Sequence, residues 1–380
     1  MKPFANDVVK PCFSEGRITN MNVLAINTYG GSLLLGAKTA KANIIATMED
    51  VGYGSDLQAM NFPKIPRYEK LADWPEKFNV PWSKIDAIAH PPCKSFSNMA
   101  ARYNSHRGTA EGSGFDCHRN VMAYVLGHKC RNLAIESVIG AYCGGRAEYE
   151  AAAKKYGYHV TYIFLNAVTF GLPQWRPRVW VIFHRTKKFK VNFKPKYVPL
   201  QVVLKPGPTT VPIFSDTKLL WEKTRPLLKG KKPIGHIFAV LQKKFNIDYL
   251  GLRAKYPNMT RGYLSGYTRF LDPTGFATTL LGDTTWAVGD RLLTIEEYCA
   301  IMGFPRNYKF NVTRHPRNHG DARSYLSRGV CPPIAAWILK MMDQNAAGWT
   351  GSFTHEDDDG IIDLRVKKAE ALMETRKACR

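Results

Sequence analysis

Val23-Leu24-Ala25-Ile26-Asn27-Thr28-Tyr29-Gly30-Gly31 is a short apolar run that breaks on a glycine pair. A helix-like stretch follows over Leu33–Ala42, then a second apolar run, Ile44-Ile45-Ala46-Thr47-Met48, which ends on Glu49-Asp50. Strand, glycine turn, helix and strand in that order predict a doubly wound, Rossmann-like α/β domain. The same rhythm continues outward. Ala87-Ile88-Ala89 reads as a strand running into Pro91-Pro92-Cys93, Leu133-Ala134-Ile135-Glu136 as another, and Val179-Trp180-Val181-Ile182-Phe183 as a third. Much later, Arg291 to Glu297 opens an amphipathic helix ending at Gly303-Phe304-Pro305, and Ile334–Met342 reads as a last core helix returning to this domain. Ligands of such sheets bind beyond the carboxyl ends of the strands. Cys93, Glu136 and Glu49 all fall there.

The bulk composition narrows the class. A chain of 380 residues with 45% hydrophobic residues can bury a full core and has room for two domains. No apolar run reaches the roughly 20 residues that cross a bilayer, and Met1 to Asp7 lacks a signal-peptide core. An intracellular protein, cytoplasmic or nucleoid-associated and with no membrane role, is expected. The formal net charge of +23 points to a polyphosphate partner, since Lys and Arg displace condensed counterions. Eight cysteines are present without a Cys-x-x-Cys pair, so neither a metal site nor a disulfide framework is expected. A zinc deaminase needs His-x-Glu before Pro-Cys-x-x-Cys. Here His90-Pro91-Pro92-Cys93 leads to Phe96, and no such pair precedes it.

After Arg185 the character changes. From 186 to about 265, lysines from Lys187 to Lys244 are interleaved with Pro, Phe, Tyr and Trp221, and periodicity is poor. This predicts a smaller basic domain that holds nucleic acid. The boundaries expected are 1–185 with 291–345 for the main domain, 186–290 for the basic domain, and 346–380 for a charged, helix-prone tail.

Three segments carry chemistry together: Pro91-Pro92-Cys93-Lys94, Ala134-Ile135-Glu136-Ser137-Val138, and Pro173-Gln174-Trp175-Arg176-Pro177-Arg178. A thiolate is a suitable soft nucleophile for a pyrimidine C6, once N3 is protonated or hydrogen-bonded. The prolines stiffen the loop that presents Cys93. Glu136 at a strand end is expected to be desolvated, so that it keeps or shares a proton. Arg176 and Arg178, two apart on an extended segment, point the same way and could lower the thiol pKa, clamp a carbonyl or grip a phosphate. Taken singly, each has a blander reading: a structural cysteine, a capping glutamate, a solvated arginine pair. Their occurrence together and in order is the signal.

In that order and spacing the chain resembles the cytosine-C5 DNA methyltransferase family. The match is nearest from Asn166 to Val179, then over Pro91 to Ser97, and then over Arg291-Leu292-Leu293-Thr294 with Gly303-Phe304-Pro305. The resemblance implies that Cys93 is the nucleophile, Glu136 the N3 partner, and Arg176 and Arg178 active-site arginines. Arg107-Gly108-Thr109 would lie on a loop closing over a cytosine flipped from double-stranded DNA, because C5 chemistry needs both ring faces clear. It further implies S-adenosyl-L-methionine as donor, held by Ile26, Tyr29, Gly30 and Gly31, by Glu49 and Asp50, by Asp73 and Trp74, and by Pro92, Gly329 and Val330. The basic section becomes a target-recognition domain, and the protein is expected to act as a monomer.

Three departures stand out. Thr28 replaces a glycine of the family's Phe-x-Gly-x-Gly-Gly, and Ser137 replaces the asparagine of Glu-Asn-Val. The family's Gly-Asn-x-Val becomes Ser327-Arg328-Gly329-Val330, which preserves Val330 and Pro332-Pro333 but places Arg328 near the methionine half of the donor. A guanidinium about 5 Å from a sulfonium would cost roughly 3 kcal/mol at an effective dielectric near 20. Either Arg328 turns outward, or the donor brings a negative charge. Carboxy-S-adenosyl-L-methionine would do so, its carboxylate pairing with the guanidinium fork, and the product would be 5-carboxymethylcytosine. A catalytically silent DNA-binding relative and an RNA cytosine-C5 methyltransferase remain as alternatives.

Overall fold

The computed structural model of the chain describes residues 21–50, 52–93, 96, 115–205, 268–280, 285–288, 291–310 and 322–379. Arg107-Gly108-Thr109, Lys94 and most of the basic middle section lie outside these residues. Among the described residues no helix is long and apolar enough to cross a membrane.

The elements follow in chain order as β1 (Asn22–Ile26), α1 (Ser32–Thr39), β2 (Asn43–Met48), α2 (Gly52–Asn61), β3 (Arg67–Tyr68) and β4 (Ile85–Ala89). Next come α3 (Asp116–Gly127), β5 (Asn132–Ser137), α4 (Ile139–Tyr156), β6 (His159–Asn166), β7 (Pro177–His184) and β8 (Lys190–Val191). Strands β9 (Thr268–Phe270), β10 (Thr285–Val288) and β11 (Arg291–Leu292) precede α5 (Ile295–Met302), α6 (Ala322–Arg328) and α7 (Pro332–Ala346). The chain closes with β12 (His355–Glu356), β13 (Ile361–Asp363) and α8 (Lys368–Lys377).

Eight strands form one sheet in the order β13-β6-β7-β5-β4-β1-β2-β3. Only β7 runs antiparallel to its neighbours β5 and β6. The sheet is covered on both faces, as the doubly wound reading requires. One apolar cluster gathers Val23, Ala25, Ile88 and Ala134 with α1, α5 and α7; the other gathers Leu24, Ala87, Ile135 and Val181 with α3 and α4. Strands buried on both faces read as continuous apolar runs, which is why β1, β4 and β5 were legible. Helix α1 meets α7 closely: a Cβ on Gly36 would stand 2.5 Å from the Ala335 Cβ.

Local chemistry shifts two expected boundaries. The first helix ends at Thr39 rather than Ala42, because Lys41 adopts a left-handed backbone, φ 57°. The helix expected from Arg291 begins only after Thr294, whose hydroxyl accepts from Glu297 N while the Glu297 carboxylate accepts from Thr294 N. That capping box sets the start, and Arg291-Leu292 pair as a strand instead. Two further findings concern the flanks. Phe189, Val191, Leu200 and Trp286, within 186–290, are buried in the main core, and β13, within 346–380, pairs with β6 at the sheet edge.

Candidate active site

Register alone builds a row of side chains along the carboxyl edge. Met48 pairs with Ile26, Ile26 with Ala89, and Ala89 with Ile135. One residue further, Glu49, Asn27, His90 and Glu136 therefore stand side by side on four adjacent strands. Across the antiparallel pair, Glu136 opposes Trp180, so Arg178 is its diagonal neighbour, within reach of a long side chain. Cys93 follows three residues after His90, on the loop leaving β4.

The contacts match that derivation. Glu136 and His90 are both buried, and the His90 Nδ1 lies 2.5 Å from Glu136 Oε2. Arg178 Nε lies 3.1 Å from Glu136 Oε1. Arg176 is 2% exposed; its Nη2 donates to the carbonyls of Ser327 (3.1 Å) and Gly329 (2.7 Å), while Nε and Nη1 have no hydrogen-bond partner among the described residues. Its backbone N–H donates to Asn166 Oδ1, which fixes the turn into β7. Cys93 is half-buried.

Electrostatics then decide protonation. Burial alone would raise the Glu136 carboxyl, but His90, Arg178 and Arg176 outweigh it and hold the group at about 2. Three cationic or proton-donating neighbours stabilise the anion more than desolvation penalises it, so of the two behaviours expected of Glu136, keeping or sharing a proton, the surroundings favour sharing. Burial and the nearby Glu136 charge push the Cys93 thiol up, while Arg178 and Arg176 pull it down without prevailing. Burial, then Arg178, lowers Arg176 to about 10.

The side expected to face a donor is built from the β1 turn. Asn27, Tyr29, Gly30 and Gly31 all have positive φ (52°, 42°, 75° and 89°). A Cβ at Gly31 would stand 2.8 Å from both the Phe62 ring and the Tyr308 hydroxyl, so only glycine fits. Thr28 is fully buried; its hydroxyl accepts from Gly31 N at 3.1 Å and from Gln58 Nε2 at 2.6 Å. Thr28 thus clamps the turn where the family carries a glycine. Gln58 Nε2 also donates to Glu49 Oε2 at 3.3 Å, and Gln58 Oε1 is buried without a hydrogen-bond partner. Asn27 Nδ2 donates to Asp50 Oδ1. Segment 327–330 closes on this turn: Val330 N donates to Ser32 Oγ, and a Cβ at Gly329 would meet Ser32 Cβ at 3.3 Å. Arg328 is half-buried between the two carbonyls that Arg176 holds. Pro92 is half-buried and Ile26 fully buried. Trp74 is packed in an aromatic cluster with Phe78, Trp82 and Tyr124, and the exposed Asp73 closes its turn by accepting from Lys70 N.

These residues suit an adenosyl sulfonium: Gln58 Oε1 is an orphaned acceptor beside the Glu49 carboxylate, and a ribose hydroxyl would satisfy it. Among the described residues no cluster of three or more His, Cys, Asp or Glu side chains is placed to hold a metal. His90 is the residue that reading the sequence passed over. Its signal was its place, directly after a fully apolar strand and one pairing step from Glu136.

The family model for C-5 cytosine-specific DNA methylases matches residues 21–344. The chain belongs to that family. No curated protein matches significantly. Among solved structures, the methylase is similar to a DNA modification methyltransferase encoded within an E. coli prophage (20% identity, 85% of this chain and 98% of that one, TM-score 0.58). It is also similar to an Entamoeba histolytica methyltransferase (14% identity, 86% and 99%, TM-score 0.61) and to a DNMT2 of Spodoptera frugiperda (12% identity, 85% and 99%, TM-score 0.54). At these identities the solved structures speak for the fold alone.

Proposed function

We propose that this methylase acts on cytosine flipped from double-stranded DNA, with Cys93 adding to C6 and Glu136 facing N3. The observation that carries the reading is the convergence of Cys93, Glu136, Arg176 and Arg178 at one sheet edge, each within electrostatic reach of the others. Arg178 holds Glu136 in orientation and meets the base carbonyl. The raised thiol keeps Cys93 protonated and unreactive until a base arrives; a cytosine seated against Glu136 would engage that negative charge and let the arginines favour the thiolate. The basic section from 186 to 290 would grip and read the duplex, and 346–380 stays outside this assignment.

Ile26, Tyr29, Gly30, Gly31, Glu49, Asp50, Pro92, Gly329 and Val330 would hold the donor, with the exposed Asp73 rather than the buried Trp74 meeting adenine's amino group. The bound donor supplies an electrophilic one-carbon group: methyl from S-adenosyl-L-methionine, carboxymethyl from carboxy-S-adenosyl-L-methionine. Arg328 favours the second. It lies in a segment fixed on both sides by Arg176 and docked on Ser32, at the turn assigned to the donor. The ordinary methyl donor is the alternative that the family supports.

The test offers purified enzyme both donors, with duplex DNA and with tRNA, and weighs the modified nucleoside. Calorimetry of each donor with wild type and Arg328→Asn reads binding separately. The reading expects 5-carboxymethylcytosine in DNA and loss of the carboxylated donor's advantage in Arg328→Asn. Exclusive methyl transfer unaffected by Arg328→Asn would remove the carboxylated donor, and product confined to tRNA would remove DNA as substrate.

A further inference from the structure

We propose that His90 is a positioning residue holding, between its Nδ1 and Glu136 Oε2, the proton that cytosine takes at N3. This rests on the reading above and deepens it.

Three observations carry it. First, Nδ1 and Oε2 stand 2.5 Å apart as an ion-pair contact between side chains 4% and 2% exposed, and both are buried atoms without a hydrogen-bond partner among the described residues. Second, the other carboxylate oxygen faces Arg178, and a guanidinium does not release a proton in proteins. Glu136 is held ionised by its surroundings and brings no proton of its own. Of the two groups in contact with its carboxylate oxygens, His90 and Arg178, only the imidazole is built to give a proton up and take it back. Third, the imidazole is fixed in place: its backbone N–H donates to Ile26 O, and the Tyr29 ring meets it edge-on at 5.3 Å and 71°. The groups that face His90 are Tyr29 from the β1 turn, Glu136 from β5 and His118 from α3, with Arg178 and Arg176 behind Glu136.

The Cys93 sulfur forms the S–C6 bond as its proton leaves to water at the half-buried loop. The C5=C6 pair moves into C4–C5, and the C4=N3 pair moves onto N3. One N–H bond breaks at the His90 imidazolium and one forms at N3, with Glu136 passing the proton and returning to carboxylate. When the adduct collapses the proton retraces this route. Because Tyr29 lies in the turn assigned to the donor, the same imidazole also joins the donor and base halves of the site.

The experiment follows single-turnover modification of a cytosine duplex against pH for wild type and His90→Asn, whose amide keeps a donor but holds no exchangeable acid. Wild type is expected to slow on the alkaline limb. His90→Asn should be about 100-fold slower with that limb flattened, at unchanged affinity for DNA. A wild-type rate in His90→Asn, or a slow rate with the limb intact, overturns the proposal. Trapping on 5-fluorocytosine DNA keeps the two readings apart: no adduct with wild type rejects the catalytic reading itself. Independently of turnover, proton NMR of wild type should show a low-field imidazole N–H resonance that Glu136→Gln abolishes. Its absence in wild type overturns the shared proton even if His90→Asn does not fold.

Discussion

Glu136 concentrates the physics of the site in one carboxylate. Its folded-state value of about 2 lies below the ordinary 4.5, so the folded protein binds fewer protons than the unfolded chain between those values. Stability from this group is complete above pH 4.5 and is lost as pH falls toward 2, on the order of 3 kcal/mol in all. Urea unfolding against pH should show that component in wild type and not in Glu136→Gln; identical profiles would contradict it. The sequence made Cys93, Glu136 and the arginine pair legible because strand ends and proline turns announce themselves locally. It did not disclose the ionisation of Glu136, which depends on His90, 46 positions earlier in the chain, and on Arg178 across an antiparallel pair. Thr28 shows the same limit: the replaced glycine was visible, but not the hydroxyl clamp onto Gly31 and Gln58.

At the scale of elements, helix α4 abuts Phe96, three residues after Cys93, the proposed nucleophile. A Cβ on Gly140 would stand 2.2 Å from the Phe96 carbonyl, and one on Gly145 would stand 2.3 Å from the Phe115 ring. The two glycines let Phe96 and Phe115 lie directly on the helix. Gly140→Ala must push that loop outward, since the obstacle is backbone rather than a movable side chain. The expected result is loss of Cys93 reactivity toward a target cytosine by about tenfold or more, with a stability change of only about 1–3 kcal/mol. Wild-type turnover in Gly140→Ala would show that the loop tolerates the shift. The helix boundary at Thr294 teaches a related lesson: the apolar pattern over Arg291–Leu293 suits helix or strand, and the capping box decides between them.

The whole molecule carries a formal net charge of +23. Binding to duplex DNA should therefore weaken steeply with salt, log K falling linearly with log salt at about 0.9 per phosphate neutralised. Charge-removing substitutions among Lys187, Lys188, Lys194 and Lys196 should each make the slope shallower without abolishing donor binding; an unchanged slope would place the DNA elsewhere. The two-faced sheet was legible at β1, β2, β4, β5 and β7 because each of these strands is a local apolar run. The place of β13 was not, since Ile361 pairs with Tyr162 from almost 200 positions away, and a strand of only three residues, Ile-Ile-Asp, inside a charged tail gives no local sign of joining a sheet.

The proposed catalysis turns on one bond, from the Cys93 sulfur to cytosine C6. A duplex carrying 5-fluorocytosine in place of the target base, incubated with enzyme and donor, stops the reaction with that bond intact. Peptide mass mapping of the denatured complex should place the nucleotide on Cys93, with no complex from Cys93→Ala. A stable complex mapped to another residue, or cytosine modification persisting in Cys93→Ala, would contradict it.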